Sequence, residues 1–248
     1  MIETHRSRAE FDWERIQKIG LLPGIKTLRQ YDERVFQALT ETKDFVRRFP
    51  TLNPSLDYLR VVHRMVFQEV HPWAGEIRLP GRLPPRVGGF ITCEPERLET
   101  ELRMLEHQTT ELLARADRQG ILRAIAFHHA RVELLHPFLD GNGRVGRLLV
   151  ESQLNASAFG ARERPEVARQ EYGDALQTSS RVSNLLPLVN LLRKREGLAK
   201  LDQRVVEAPY WLGQQFDEEK GPALTMDQEL DRSRRLVAGR VRQRQWAS

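Results

Sequence analysis

The sequence lacks the features that mark several common protein classes. Its 248 residues contain one cysteine, Cys93, which excludes an intramolecular disulfide framework and favours a reducing compartment. No apolar run approaches the roughly 18 residues that a membrane-spanning helix needs. Residues 1–10 are polar and charged, so we expect no secretory leader. These absences predict a cytoplasmic protein that is not inserted in a membrane.

Lysine is scarce as well. Six of the 39 basic residues are Lys, the others are Arg, and 34 acidic residues leave a net charge of +5. That excess favours anionic partners only weakly, because it is small for a surface that would bind a polyanion. The hydrophobic and charged fractions, 40% and 29%, are those of an ordinary folded chain. The length fits one large domain with extensions or two small domains.

Apolar residues recur at helical spacing over most of the chain, which predicts a mainly α protein. A segment rich in proline and glycine, residues 72–95, interrupts this pattern, and the run 88–92 predicts a short hairpin. We predict an N-terminal helical extension at 1–51, a central domain at 52–196 and a polar, partly helical extension at 197–248. The predicted helices cover residues 27–48, 55–71, 96–116, 120–135, 144–158, 164–178, 181–195 and 225–245.

The segment 136–147, His-Pro-Phe-Leu-Asp-Gly-Asn-Gly-Arg-Val-Gly-Arg, carries the clearest chemical signal. Pro137 prevents the preceding helix from continuing, and the Gly-Asn-Gly sequence allows positive φ angles before a new helix. Backbone amides gathered at a helix N-terminus bind anions, with help from the helix dipole. Arg144 and Arg147, three residues apart, can both reach such an anion.

Two further residues of this segment suit phosphate chemistry. Asp140 precedes the amides, where a carboxylate can hold Mg²⁺ against phosphate oxygens. His136 has an ordinary pKa suited to a general base near neutral pH. A Gly-Asn-Gly turn alone commonly just reverses the chain, and paired arginines on a helix are commonly solvated. The complete set predicts a phosphoryl- or nucleotidyl-transfer site.

The segment resembles the Fic family signature, His-x-Phe-x-Asp/Glu-Gly-Asn-Gly-Arg-x-x-Arg, at every fixed position. The resemblance extends over about 52–196, through residues 62–67, 71–78, 127–129 and 172–176. It implies a Fic-like helical bundle with a short β-hairpin flap. It also implies transfer of AMP from ATP to a Ser, Thr or Tyr hydroxyl of a target protein.

The resemblance assigns a role to each motif residue. His136 would deprotonate the target hydroxyl, and Asp140 would hold Mg²⁺ at the α- and β-phosphates. The remaining nucleotide-site residues are Phe138, Gly141, Asn142, Gly143, Arg144 and Arg147. Among these, Phe138 is expected to pack beneath the loop, and Arg147 is expected to reach the γ-phosphate.

The resemblance also places the flap at Gly89, Phe90 and Ile91, where exposed backbone groups would dock an extended target segment. Packing of Phe90 and Ile91 onto the core is the alternative. Gly143 stands where the family's kinase-like branch has Lys, so AMP transfer is favoured over phosphorylation. Transfer of another phosphate-containing group stays open.

Regulation and other partners are less marked in the sequence. Many Fic proteins carry an inhibitory Ser/Thr-x-x-x-Glu-Gly/Asn helix. The segment 225–230 has that spacing, with Glu229 as the glutamate, but Leu230 replaces the final Gly or Asn. We therefore expect a separate, small antitoxin-like protein to supply the inhibitory glutamate.

The remaining histidines and arginines support two weaker interpretations of the sequence. Five histidines (His63, His71, His128, His129 and His136) lack zinc-site spacing, so no zinc is expected. The arginines of 232–244 suit a solvated helix better than a nucleic-acid surface. The rival from another class is a non-catalytic module that binds an anion or nucleic acid.

Overall fold

The structure is a computed structural model that describes residues 8–79, 86–87, 90–182, 184–202 and 205–208. The mainly α architecture predicted from the sequence is confirmed. The helices are α1 (Arg8–Lys18), α2 (Leu28–Arg48), α3 (Leu56–Phe67), α4 (Pro95–Ala114), α5 (Arg118–Leu135), α6 (Asn142–Ala156), α7 (Arg169–Val182) and α8 (Leu186–Arg195). The strands are β1 (Arg86–Val87) and β2 (Phe90–Ile91), which pair antiparallel.

Helix α5 is the centre of the bundle. It is buried on every side over most of its length, from Ala124 to Leu135. A helix that is apolar around its whole circumference must be covered on all faces. Helices α4, α6, α7 and α8 all pack against it, while α2 and α3 pack against each other and against α6. The C-terminal end of α5 and the N-terminal end of α6 are thereby fixed within the core.

Side-chain caps fix three of the helix starts. Thr27, Ser55 and Asp117 accept hydrogen bonds from backbone amides in the first turns of α2, α3 and α5. The start of α6 is different, because its N-cap residue is Gly141 with φ 80° and no capping side chain. The first amides of α6 are therefore not occupied by a cap.

The N-terminal extension docks on the corner that follows α3. The indole Nε1 of Trp73 donates to the Ile19 carbonyl at 2.7 Å, and His71 Nδ1 donates to the Gly20 carbonyl at 2.5 Å. The rings of His71 and Trp73 stack with centroids 4.3 Å apart. Ile16 of α1 is buried in the common core. These contacts hold the C-terminal half of α1 beside the central bundle.

Some predicted boundaries were wrong. The junction between the predicted helices 164–178 and 181–195, expected near Ser179 and Ser180, lies beyond Val182, because the buried Ser179 hydroxyl accepts the Leu188 amide at 3.3 Å inside the packed pair of α7 and α8. Helix α3 ends at Phe67, several residues before the predicted end. The predicted helix at 225–245 lies outside the described residues. None of the helices among the described residues has the length and hydropathy to span a membrane.

Candidate active site

His136 occupies the turn between α5 and α6 in a conformation that side chains seldom adopt. Its φ of 50° makes it the only non-glycine residue with positive φ in the described part of the chain. Its amide still donates to the Val132 carbonyl at 2.9 Å, and Pro137 then ends the helix. Such a backbone costs roughly 1–3 kcal/mol and persists only where surrounding contacts hold it.

The environment of the His136 ring keeps it uncharged. Burial, followed by the nearby Arg78 guanidinium, lowers the pKa of His136 to about 4. Its Nδ1 atom is buried, and a hydrogen bond with the Glu133 backbone partly opposes the lowering of the pKa, so Nε2 is the nitrogen left for proton exchange. The imidazole is therefore neutral and able to accept a proton at pH 7.

Asn142 closes the loop that follows. Its side-chain oxygen accepts the Phe138 amide, its nitrogen donates to the Phe138 carbonyl, and both distances are 2.9 Å. Phe138 is fully buried and stacks on His63, with ring centroids 3.8 Å apart. Phe138 thus anchors the loop from below. The Asn142 side chain is occupied with the loop itself, so its backbone amide is the group left for a ligand.

His63 fixes the loop from α3. Its Nδ1 accepts the Gly75 amide at 2.8 Å, so Nε2 carries the proton and donates to the Asp140 carbonyl at 3.1 Å. Burial lowers the pKa of His63 to about 3. The ring is neutral in this tautomer, and it orients the backbone that presents the Asp140 carboxylate.

Two glycines allow the loop to pack closely. A Cβ on Gly141, where φ is positive, would lie 2.2 Å from the Phe67 ring. A Cβ on Gly146 would lie 2.6 Å from the Glu133 carboxylate. At Gly143 a Cβ would meet nothing closer than 3.6 Å. Close packing therefore requires glycine at 141 and 146. At 143 a Cβ would make only ordinary contacts, with the side chains of Arg147 and Glu133.

Asp140 is held by two arginines. Its Oδ1 accepts from Arg15 of α1 at 3.1 Å, and its Oδ2 accepts from Arg144 of α6 at 3.0 Å. Burial alone would raise the pKa of Asp140, but Arg144 and Arg15 together hold it below its usual value. The carboxylate is therefore charged at neutral pH and stands at the entrance to the α6 amides.

The two motif arginines contact different elements. The guanidinium of Arg144 lies 4.7 Å from the centre of the Phe67 ring, beside Asp140. Arg147 lies 5.8 Å from the centre of the Tyr172 ring and lines a cavity of about 570 Å³. Lys43 and Arg47 of α2 line the same cavity. Three glutamates also line this cavity, so side chains of both charges face it.

The comparisons with known proteins agree with this geometry. Residues 53–154 match the Fic/DOC family. These residues form a Fic domain. This chain is 32% identical over 90 residues to a protein of Sinorhizobium fredii named "Probable protein adenylyltransferase", an alignment that covers 35% of this chain and 45% of that protein. It is 30% identical over 145 residues to "Protein adenylyltransferase fic-1" of Caenorhabditis elegans, covering 56% of this chain and 27% of the relative.

Solved structures support the same fold. The BepC protein of Bartonella tribocorum, with bound AMPPNP, superposes with a TM-score of 0.59 at 20% identity and covers 71% of this chain and 90% of that structure. At that identity the likeness concerns the fold alone. The chain spans less than half of the length of the two relatives from Sinorhizobium and Caenorhabditis.

The Fic motif holds one carboxylate suited to a metal. Among the described residues no group of three His, Cys, Asp or Glu side chains is placed to bind a metal ion. Asp140 alone fits Mg²⁺ that arrives on nucleotide phosphates, because Mg²⁺ in such sites uses one or two carboxylates and completes its shell with phosphate and water. His128 and His129 are buried, and burial lowers their pKa values to about 4 and about 3.

The flap of the Fic domain is only partly described. Arg86 pairs with Ile91, and Val87 pairs with Phe90. Gly89 lies outside the described residues, and the assignment of Gly89, Phe90 and Ile91 to target docking stays a prediction.

Two residues of the site were not predicted. Arg15 reaches Asp140 from 125 positions away in the sequence, and nothing in the pattern of α1 indicates it. Arg78 contacts the His136 backbone, and its only sequence signal was its place at the end of the 71–78 segment that resembles the family. Both contacts depend on tertiary packing.

Proposed function

We propose that this chain is a protein adenylyltransferase that moves AMP from Mg²⁺-ATP to a Ser, Thr or Tyr hydroxyl of a target protein. The observation that carries the proposal is the turn between α5 and α6. It joins a neutral His136, a charged Asp140, free helix amides and Arg144 in one segment. The Fic domain and the naming of its relatives as adenylyltransferases support the same activity.

In the proposed reaction His136 Nε2 accepts the proton of the target hydroxyl. The hydroxyl oxygen attacks the α-phosphorus, the bond from that phosphorus to the bridging oxygen breaks, and pyrophosphate leaves. The chain contributes mainly positioning and charge, as expected for phosphoryl chemistry. The amides of Asn142 and Gly143 with Arg144 would hold the phosphates, and Arg147 would reach the γ-phosphate.

Asp140 would hold the Mg²⁺ that accompanies ATP. Arg144 and Arg15 each bond to one of its two oxygens. Each oxygen keeps a further lone pair for a metal, but the two positive charges oppose the binding of Mg²⁺. The metal would supply charge neutralisation to the phosphate oxygens.

The target would dock on the hairpin of the flap. An extended segment adds to a strand edge through main-chain hydrogen bonds, so little sequence demand falls on the target. Gly89, Phe90 and Ile91 are the proposed docking residues.

Transfer of label from ATP to protein tests the proposal. The purified chain is incubated with Mg²⁺ and a cell lysate, with ATP labelled at either the α- or the γ-phosphate. We expect protein to take up the α-label only, and Asp140→Ala to abolish the uptake. Uptake of the γ-label would indicate a kinase. No protein-bound label, with ATP binding intact, would favour a non-catalytic anion-binding module.

We also propose that the enzyme is restrained by a separate antitoxin-like protein, as the toxin of a toxin–antitoxin pair in the cytoplasm. Glu229 is the rival in cis, and it lies outside the described residues. Auto-modification of the purified chain distinguishes the two. High activity that Glu229→Gly leaves unchanged supports a separate partner, whereas a low activity that Glu229→Gly releases contradicts it.

A further inference from the structure

Arg78 is a buried arginine that bonds to backbone carbonyls around His136. It is 4% exposed. Its Nε donates to the His136 carbonyl at 2.6 Å, and its Nη2 donates to the Leu135 carbonyl at 3.2 Å. Its own backbone amide donates to the Pro137 carbonyl at 2.8 Å. One residue thus holds three consecutive carbonyls at the point where α5 ends.

The same guanidinium reaches the far side of the flap. Its Nη2 also donates to the Cys93 carbonyl at 2.7 Å, and the Thr92 hydroxyl lies 3.5 Å away. Arg78 precedes the flap, and Thr92 and Cys93 follow it. The two ends of the hairpin are therefore tied together at the backbone of His136.

No carboxylate among the described residues lies within salt-bridge distance of the Arg78 guanidinium. Burial lowers its pKa to about 10, and the charge of Glu96, at longer range, opposes that shift, so the guanidinium stays charged at neutral pH. A buried cation without a directly bonded counter-ion costs stability. The carbonyls at the C-terminal end of α5 offset part of this cost, since they form the negative end of the helix dipole. Helix α5 has no basic residue of its own in its last turn.

We propose that Arg78 is a positioning residue, which holds His136 in its left-handed conformation and sets the place of the target-docking flap relative to that base. This inference rests on the proposed function, because it concerns the same His136 and flap. A general base displaced by about 1 Å loses roughly 100-fold in rate. The nucleotide-binding amides and Arg144 make no contact with Arg78, so nucleotide binding does not depend on it.

The first test needs no activity. Hydrogen exchange is measured for the wild type, Arg78→Lys and Arg164→Lys. Arg164 has a fully buried side chain that also donates to a backbone carbonyl, that of Gly160, and it makes no hydrogen bond to the loop. We expect exchange at the His136 and Phe138 amides to rise at least tenfold in Arg78→Lys only. Unchanged exchange at these amides in Arg78→Lys would overturn the proposal.

The second test is kinetic. For Arg78→Lys we expect kcat for AMP transfer to fall about 10- to 100-fold while the Kd for Mg²⁺-ATP stays within twofold, and Arg164→Lys should keep the wild-type kcat per folded molecule. If Arg78 had only a structural role, Arg78→Lys would lower stability without lowering kcat at constant Kd, and that result would overturn the proposal.

If Arg78→Lys does not fold, Arg78→Gln replaces it. Failure of both to fold, with Arg164→Lys folded, would show a structural role and also overturn it. A wild type without AMP transfer would contradict the proposed function. The hydrogen-exchange result would still test whether Arg78 holds the His136 backbone.

Discussion

The two ends of α6 both carry buried or partly buried arginines, but they balance the charge differently. At the C-terminal side, Arg164 is fully buried and bonds to Glu196 at 2.5 Å and Glu151 at 3.2 Å. Arg195 bonds to the same Glu151 at 2.7 Å. At the N-terminal side, Arg78 bonds to backbone carbonyls and contacts the Thr92 hydroxyl, with no carboxylate bonded to it among the described residues.

This difference separates a structural network from a functional one. Where each guanidinium faces a carboxylate, the charges satisfy one another and no ligand is needed. At the start of α6, Arg15 and Arg144 both bond to one carboxylate, Asp140, and the helix presents uncapped backbone amides beside it. The surplus positive charge suits a polyphosphate, because arginine forks bind phosphate oxygens well. The comparison predicts that changes at the two ends will affect different properties.

Within this comparison the largest expected effect is that of Asp140→Asn, which removes the carboxylate to which both Arg15 and Arg144 bond. We expect AMP transfer at saturating Mg²⁺ to fall roughly 100- to 1,000-fold, since electrostatic groups of this kind contribute that much. Metal-free ATP should bind at least as tightly as to the wild type, because the site becomes more positive. Asp57→Asn on the exposed face of α3 is the control. AMP transfer at the wild-type rate by Asp140→Asn would contradict the functional role assigned to the charges at the start of α6.

Arg164→Met should have the next largest effect, on stability rather than on transfer. Removing one partner of a buried pair leaves carboxylate oxygens unpaired, so the free energy of unfolding should fall by about 3 kcal/mol. Urea denaturation measures it, and transfer per folded molecule should stay within about twofold. Arg29→Met, which breaks an exposed pair with Glu33, should leave the unfolding midpoint unchanged. A large loss of transfer in Arg164→Met would remove the distinction between the two ends.

Acid should destabilise the fold through its buried histidines. The pKa values of His63, His128, His129 and His136 are about 3 to 4 in the folded chain, below the usual 6.5. As pH falls below 6.5 the unfolded chain binds protons that the folded chain does not, so stability is lost, by up to about 1.4 kcal/mol per pH unit for each histidine.

Glu133 opposes this trend. Burial raises its pKa to about 7, so its contribution to stability is lost as pH rises through 7 and is regained as pH falls. The effect of Glu133 on the free energy of unfolding offsets that of one of these histidines. Urea denaturation at pH 7.5, 6.5 and 5.5 should therefore show falling stability, and the exposed His107→Gln should follow the wild type. A urea midpoint that does not change with pH would contradict the conclusion that these histidines are neutral in the folded chain.

The smallest predicted effect is that of Arg15→Gln. The change removes one of two cations that compete with Mg²⁺ for Asp140, so the Mg²⁺ concentration for half-maximal transfer should fall about two- to fivefold, the range of a partly exposed ion pair. The pKa of Asp140 should rise towards its usual value. An increased Mg²⁺ requirement would indicate that Arg15 binds phosphate instead.

The parts of this site that lie close together in the sequence could be predicted from it. The motif is contiguous, and Pro137 with Gly141 predicts where α5 stops and α6 starts. Amphipathic spacing likewise predicted α2, α4 and α5 to within a few residues. The roles of the motif residues, the flap and the three-part division of the chain stay predictions.

The contacts between distant segments could not be predicted. Helical periodicity indicates which face of α1 is buried but not that Arg15 will meet a loop 125 residues later. Arg78 lies in a segment without periodicity, so its partners depend on how that segment crosses the end of α5. The Ser179 junction was misplaced because serine favours turns in isolation, whereas here its hydroxyl is satisfied inside the packed α7–α8 pair.

The most direct test of the account measures binding and chemistry in one variant, His136→Ala. Calorimetric titration with Mg²⁺-ATP should give a Kd within twofold of the wild type, because the phosphate-binding amides and arginines are untouched. Transfer of the α-phosphate label to protein should fall by roughly 100- to 10,000-fold, the range for a general base. Transfer at the wild-type rate by His136→Ala would contradict the account.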